Sequence, residues 1–309
     1  MRRLLLPTRP ELIIAEVWSR NLRHYEGLFD EVTICADVQC RDSDLEDLAR
    51  LFPKHKVIHC NRAGGGTLKR YLTDAGVDQM ADDVLMLAEA DCYMLDFKAL
   101  ENNLNAVERG HVDIVATPRS HQCWRFRERF PEAATAYTDA WHNGWTSKGA
   151  ILAENIDNLD VTDYPPGATV PLMGYKVGDA IWNAEELTLL TQRSLADGLK
   201  FSWTPVNDAW LDGEPTILDN SIFSDYSIHL GSAGSYTSLF DGSFGHLEHY
   251  NNNPALYSRR SASWLYLFDN ALSDCSAHLE TLAEFDAEIG VDTAMRAFFY
   301  NNFSKRIPL

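Results

Sequence analysis

Positive charge is scarce in this 309-residue chain. Lysine occurs 8 times and arginine 19 times, against 45 acidic residues, for a formal net charge of −18. A uniformly acidic surface repels phosphate backbones, which argues against a general nucleic-acid binder, although a local basic site stays open. No run approaches the roughly 20 apolar residues of a membrane span. The opening Met1-Arg2-Arg3-Leu4-Leu5-Leu6-Pro7 faintly resembles a signal peptide, but Pro7 breaks its apolar run after three leucines, so a soluble, cytoplasmic protein is expected. Six cysteines (Cys35, Cys40, Cys60, Cys92, Cys123 and Cys275) include no C-x-x-C pair, which suits buried free thiols in a reducing compartment. There is no internal repeat and no low-complexity tract. The chain also lacks G-x-x-x-x-G-K-[ST] and G-x-G-x-x-G, so a P-loop is unsupported and a dinucleotide-binding reading is weakened.

What is there is globular. Apolar residues make up 45% of the chain and aromatic ones 11%, enough for a real core. The first hundred or so residues alternate strand and helix. Strands are expected at Leu4–Pro7, Glu31–Asp37, Lys56–Cys60, Asp83–Ala88 and Val112–Thr117. Helices are expected at Pro10–Tyr25, Asp42–Phe52 (Ser43 a plausible cap), Thr67–Ala75 and Phe97–Arg109. The run Asp83 to Ala88 is apolar almost throughout, as suits a central parallel strand buried on both faces. Alternation of this kind implies an α/β fold with a doubly wound, mostly parallel sheet and right-handed crossovers. The middle, about residues 118–230, is less regular, with a loop at Tyr164-Pro165-Pro166-Gly167 and a helix expected over Asp179–Leu199. From about residue 243 the chain reads as mainly helical. The expected division is therefore a nucleotide- and acceptor-binding domain over 1–242 and a C-terminal helical extension over 243–309.

Ligands of open α/β sheets bind beyond the carboxyl ends of the strands. Thr8, Asp37, Asn61 and the triplet Glu89-Ala90-Asp91 all fall at such ends, so four polar positions converge on one rim. The triplet has a physical use. Side chains at i and i+2 of an extended segment face the same way, so two carboxylates can meet one hard cation. Mg²⁺ or Mn²⁺ typically takes one or two carboxylates plus substrate phosphate oxygens, and neutralises charge on a departing diphosphate. The plain alternative is that Glu89 caps the next turn and Asp91 is solvated.

Order and spacing then point further. The stretch Asn61-Arg62-Ala63-Gly64-Gly65-Gly66-Thr67-Leu68-Lys69-Arg70-Tyr71-Leu72 resembles the segment of family-2-like, GT-A fold glycosyltransferases that precedes their D-x-D motif. Pro7-Thr8-Arg9 resembles their opening nucleotide loop. His229-Leu230-Gly231-Ser232 with Ser235 resembles the histidine segment that completes their metal and diphosphate site. The resemblance spans roughly residues 4–235. It implies a GT-A-like fold, a nucleotide-sugar donor (a UDP-sugar foremost) and Mn²⁺ or Mg²⁺ as cofactor. It also implies donor contacts from Thr8, Arg9, Asp37, Asn61, Gly65, Lys69 and Ala90, with Glu89, Asp91 and His229 as metal ligands. Glu89 stands where the family has aspartate, so Asp91 is the better-supported ligand. For an inverting enzyme it implies a base at a helix start, which points to Asp179 in Gly178-Asp179-Ala180-Ile181-Trp182, with Asp208 in reserve. Each has an ordinary alternative: Asp37 as a strand-end turn former, Gly64 to Gly66 as a flexible turn, His229 as a surface or core histidine, Asp179 as a favourable charge at a helix start.

The stretch Arg119 to Arg129 is locally basic and aromatic, and Trp141-His142-Asn143-Gly144-Trp145 follows. Aromatic faces stack on sugars and bases while arginines contact phosphates. A glycan, a phosphorylated carrier or a hydroxymethylated DNA base would suit as hydroxyl acceptor; a core helix with paired arginines is the alternative. Two other functions stay open: a nucleotidyltransferase, and a non-catalytic nucleotide-sugar-binding module.

Overall fold

The computed structural model describes residues 1–8, 12–61, 67–89, 92–117, 144–158, 174–177, 180–183, 190–191, 193–195, 197–204, 222–223 and 226–229. Seven strands form the main sheet: β1 (Arg2–Thr8), β2 (Glu31–Ala36), β3 (Lys56–His59), β4 (Val84–Leu87), β6 (Ile114–Ala116), β7 (Trp145–Lys148) and β10 (Phe201–Trp203). Their order across the sheet is β3-β2-β1-β4-β7-β6-β10. Neighbours pair in parallel except at β7, which runs antiparallel to both β4 and β6. The sheet is thus mostly parallel, as expected from the alternation of elements. Helices α1 (Leu12–Leu22), α2 (Asp42–Leu51), α3 (Thr67–Ala75), α4 (Phe97–Glu108) and α5 (Gly149–Ala153) connect and cover it.

The central strands are apolar because they are covered on both faces. Leu4, Leu5 and Leu6 of β1 and all four residues of β4 are buried. Against one face, wholly buried Trp18 packs its ring 5.8 Å from Phe52 and edge-on to Tyr25 at 6.4 Å. In a second cluster Leu68, Tyr71, Leu72 and Ala75 of α3 pack with Leu5, Leu87 and Trp145. The positions 68, 71, 72 and 75 follow the 3.6-residue helical period, so one stripe of α3 faces the sheet.

Chain order reverses direction at β1: β2 and β3 lie on one side of it, β4 and the later strands on the other. Pro7 widens this switch point. The Asp37 N–H bonds the Thr8 carbonyl on the β2 side, and the Ala88 N–H bonds the Leu5 carbonyl on the β4 side. Strand alternation therefore turns the Pro7 nitrogen toward β4, where the pairing register ends at Leu5↔Leu87. A proline, which has no N–H to give, fits a central strand only at such a place. Beyond it β1 and β4 have no further ladder pairing among the described residues.

At the opposite end of the sheet, charge is neutralised locally. The Arg3 guanidinium bridges Asp83 at 2.6 Å and Glu31, and Arg2 pairs with Glu108 at 2.6 Å.

A small sheet stands beside the rim. Its strands β11 (Ile222–Phe223), β12 (Ser227–His229) and β5 (Cys92–Met94) pair antiparallel, with Ser227↔Met94, Ile228↔Tyr93 and His229↔Cys92. The other edge of β5 is taken by a side chain. Buried Asn21, near the end of α1, donates from Nδ2 to the Met94 carbonyl (3.1 Å) and accepts the Met94 N–H at Oδ1 (2.8 Å). It satisfies a residue's backbone as a neighbouring strand would.

Three expectations need correction. Helix α2 is capped at Arg41, not Ser43: the Asp44 carboxylate accepts the Arg41 N–H at 2.8 Å and its guanidinium at 3.1 Å. The aspartate at the third helical position thus satisfies the N-cap N–H, while its own N–H bonds the Arg41 carbonyl at 2.9 Å. The irregular middle contains β7, an antiparallel strand not foreseen. The helix expected over Asp179–Leu199 does not begin there: β9 (Ala180–Asn183) pairs antiparallel with β8 (Gly174–Val177). Helical backbone is present further on, at Leu190, Thr191 and 193–195. The extension expected over 243–309 lies outside the described residues.

Candidate functional site

The rim above the switch point gathers the polar strand ends. Thr8 closes β1, 3% exposed, and its carbonyl takes the Asp37 N–H at 2.9 Å. Asp37 follows β2 and is 5% exposed. Its Oδ1 accepts the Gln39 N–H (3.0 Å), the short-range bond of an Asx turn. Its Oδ2 accepts the Tyr71 hydroxyl (2.8 Å) and lies 3.5 Å from the Arg70 guanidinium. Both donors come from α3. The Cys60 N–H bonds the Ala36 carbonyl, extending the β2–β3 pairing to the rim, and exposed Asn61 comes next. The Asn61 amide contacts the His59 ring at 3.1 Å. Lys69 lies half-buried in the first turn of α3.

On the other side of the switch point, half-buried Glu89 stands two residues past β4. The Cys92 N–H returns to the Glu89 carbonyl at 3.1 Å, so backbone hydrogen bonding closes over the two residues between them. From Cys92 the chain enters β5, and the register His229↔Cys92 sets the backbone of His229 next to the residue that follows Asp91. The small sheet thus sets the backbone of His229 opposite Cys92, three residues past Glu89, although the two lie far apart in sequence.

Two buried tyrosines near the small sheet are shifted by burial. Burial raises the Tyr226 phenol to about 12, outweighing the opposing hydrogen bond with Asn103. Burial likewise pushes the Tyr25 hydroxyl well above its usual range. Neither is a proton donor or acceptor at neutral pH. Cys35, Cys40, Cys60 and Cys92 are free, buried thiols, as expected for structural cysteines.

Arg9, Gly65, Ala90, Asp91 and Asp179 lie outside the described residues, as do Asp208 and the basic stretch Arg119 to Arg129; of His229 only the backbone is described. Gly178 and Asp179 are the two residues between the paired positions Val177↔Ala180, so the helix-start argument for Asp179 falls away. Among the described residues no helix is long and apolar enough to cross a membrane. Sequence reasoning missed Tyr71 and Arg70 as partners of Asp37. A signal existed: Tyr71 sits on the apolar stripe of α3, and a buried tyrosine hydroxyl needs a partner.

No protein-family model matches the chain, and no curated protein matches it. Solved structures do. One, from Desulfovibrio desulfuricans G20, carries a name that assigns it to the nucleotide-diphospho-sugar transferases; it is 13% identical over 66% of this chain and 79% of that one, with a TM-score of 0.41. A mannosyltransferase from Pyrobaculum calidifontis, in complex with GDP-Man and Mn²⁺, is 12% identical over 97% of this chain and 78% of that one (TM-score 0.41). Glucosyl-3-phosphoglycerate synthase from Mycobacterium tuberculosis, in complex with Mn²⁺, UDP-glucose and glycerol 3-phosphate, is 12% identical over 49% of this chain and 58% of that one (TM-score 0.36).

Proposed function

We propose that this chain is a nucleotide-binding α/β transferase, and within that class a metal-dependent glycosyltransferase of the GT-A type. It moves a sugar from a nucleotide-sugar, foremost a UDP-sugar, to a hydroxyl acceptor. The observation that carries the reading is the β5–β12 register, His229↔Cys92, three residues past Glu89 at the end of β4. It is supported by Thr8, Asp37 and Asn61 at the same rim, and by the order of motifs that resembles that family.

The proposed donors are two carboxylates, Glu89 and Asp91, and the imidazole of His229; carboxylate oxygens suit Mn²⁺ or Mg²⁺, and phosphate oxygens of the donor would complete the shell. A bound cation there supplies charge neutralisation at the departing diphosphate. The chain's own residues do the rest. Asp37 and Asn61 hold the nucleoside, with Thr8, Arg9 and the Gly65–Lys69 segment along it. Ala90 keeps the triplet narrow beside the donor. A base takes the acceptor hydroxyl proton as the new glycosidic C–O bond forms and the bond to the diphosphate breaks; the nucleoside diphosphate leaves with its electron pair. With no helix starting at Asp179, the order of motifs alone supports it as the base, and Asp179 and Asp208 are the two acids to test. Residues 1–242 form the catalytic domain and 243–309 an extension to it.

The acceptor is a glycan, a phosphorylated carrier or a hydroxymethylated base, met by the stretch Arg119 to Arg129. The experiment is release of nucleoside diphosphate from a panel of donors with Mn²⁺ present. Asp91→Ala should lower turnover by about 100-fold or more, since a lost cation removes several kcal/mol of charge stabilisation. Normal turnover by that variant removes the metal assignment. Pyrophosphate release from a nucleoside triphosphate would make the protein a nucleotidyltransferase instead.

A further inference from the structure

Asp37 is held before any ligand arrives. A carboxylate offers about four acceptor positions. Here one is taken on Oδ1 by the Gln39 N–H (3.0 Å); on Oδ2 the Tyr71 hydroxyl (2.8 Å) takes one and the Arg70 guanidinium (3.5 Å) approaches another. Among the described residues these are the donors to the buried side chain, and they leave one acceptor position on Oδ1. The short bond is the one to Tyr71, itself 4% exposed and fixed by the α3 stripe against Leu5, Cys35 and Leu87. Arg70, by contrast, reaches the carboxylate at the limit of hydrogen-bonding distance, and its buried Nε finds no partner. With the Gln39 N–H holding Oδ1, the Tyr71 hydroxyl on Oδ2 fixes the plane in which the Asp37 carboxylate lies.

We infer that Tyr71 is a positioning residue for the donor nucleotide: its hydroxyl orients Asp37 so that one remaining acceptor position meets a single N–H of the base. This rests on the reading of the rim as a nucleotide-sugar site. A single N–H beside carbonyls is what a uracil ring presents at N3. Cytosine carries a lone pair there and would face the carboxylate with an acceptor. Guanine presents two adjacent N–H groups and needs both carboxylate oxygens, of which Oδ2 is already occupied by Tyr71 and Arg70. A buried acceptor left opposite the wrong edge gives strong discrimination, because the mismatched ligand strands a desolvated carboxylate.

The test is calorimetric binding of UDP, CDP, GDP and 3-methyl-UDP to the full chain with Mn²⁺ present. Wild type should prefer UDP over CDP and over 3-methyl-UDP by about 100-fold, the scale of one unmet bond to a buried charged group. Tyr71→Phe keeps the ring and removes only the hydroxyl. It should weaken UDP binding by about tenfold and shrink the UDP-to-CDP ratio by a similar factor. Asp37→Asn should abolish the preference. The ratio is measured on one preparation, so a partly unfolded sample does not alter it, and a merely structural role for Tyr71 would move stability while leaving the ratio intact. The inference is overturned if Tyr71→Phe retains the wild-type ratio, or if wild type binds 3-methyl-UDP as tightly as UDP. If wild type binds no nucleoside diphosphate at all, the reading of the rim fails and this inference with it. UDP binding with an unchanged ratio in Tyr71→Phe removes the inference alone.

Discussion

Replacing Asn21 by leucine should cost more stability than its modest size suggests. Asn21 is wholly buried, and its amide supplies both hydrogen bonds of the Met94 backbone. Met94 is itself 1% exposed, so water cannot take over. Leucine has the same branched outline and is bulkier, so no cavity forms, any overpacking adds to the loss, and one buried N–H and one buried C=O are left without partners. Each orphaned group costs about 1–3 kcal/mol, so the loss should be about 2–6 kcal/mol. That is a large share of a domain stability of about 5–15 kcal/mol. Urea denaturation at fixed pH measures it as a lower midpoint with the slope retained. Hydrogen exchange provides the local readout, because the Met94 amide should lose protection first. The effect should also reach the proposed site: β5 follows directly on Asp91 and pairs with His229, so a loosened β5 should weaken Mn²⁺ binding in parallel. A stability loss under about 1 kcal/mol, the scale of an ordinary solvent-compensated hydrogen bond, would refute the reasoning.

Two glycines carry steric predictions. A Cβ on Gly149 would lie 2.0 Å from the Met80 carbonyl oxygen, and one on Gly144 would lie 2.2 Å from the Thr117 Cβ and 2.5 Å from its backbone nitrogen. Gly149→Ala and Gly144→Ala should each lower stability by at least the 1–3 kcal/mol (about) of an overpacked core, read as a drop in melting temperature; unchanged melting would show that these backbones yield freely. Acid should also destabilise the fold. Burial tends to raise the Asp83 pKa, but bonds from the Met1 amino group and Arg3 win and hold it below the usual aspartate range. The Arg41 side chain, with its backbone N–H, holds Asp44 down, and Arg2 does the same for Glu108. A carboxylate depressed in the folded state binds fewer protons than in the unfolded one, so its stabilisation is present above the ordinary pKa of about 4 and lost as pH falls through the folded value. Denaturation midpoints should therefore decline below about pH 4, and Asp83→Asn should flatten that decline. An equally steep decline in Asp83→Asn would count against this assignment.

Much of the main sheet was legible because its signals are local. The apolar run before Glu89 reads as a strand buried on both faces, and β4 is one. The helix Thr67–Ala75 agrees with its expectation to the residue. Strand ends then follow from strand positions, which is why Thr8, Asp37, Asn61 and Glu89 could be assigned to one rim. What was not legible depends on distant partners. The antiparallel direction of β7 is decided by its neighbours β4 and β6, not by its four residues. The segment Ala180–Asn183 reads as the start of a helix only if its pairing with Gly174–Val177 is unknown. The register of His229 against Cys92 has no local signal at all; it needed the histidine segment to be matched as a motif. The partners of Asp37 fall between these cases, since Tyr71 was visible on the buried stripe of α3 but its target was not.

The central claim is that the switch-point rim binds a nucleotide-sugar through a divalent cation. Calorimetric titration of UDP-glucose and related donors into the protein, with Mn²⁺ and again with chelator, tests it most directly. Binding that is present with Mn²⁺, lost with chelator and lost in Asp91→Ala is the expected result. Equal binding with and without the cation, or none for any donor, would contradict it and leave the fold without the proposed chemistry.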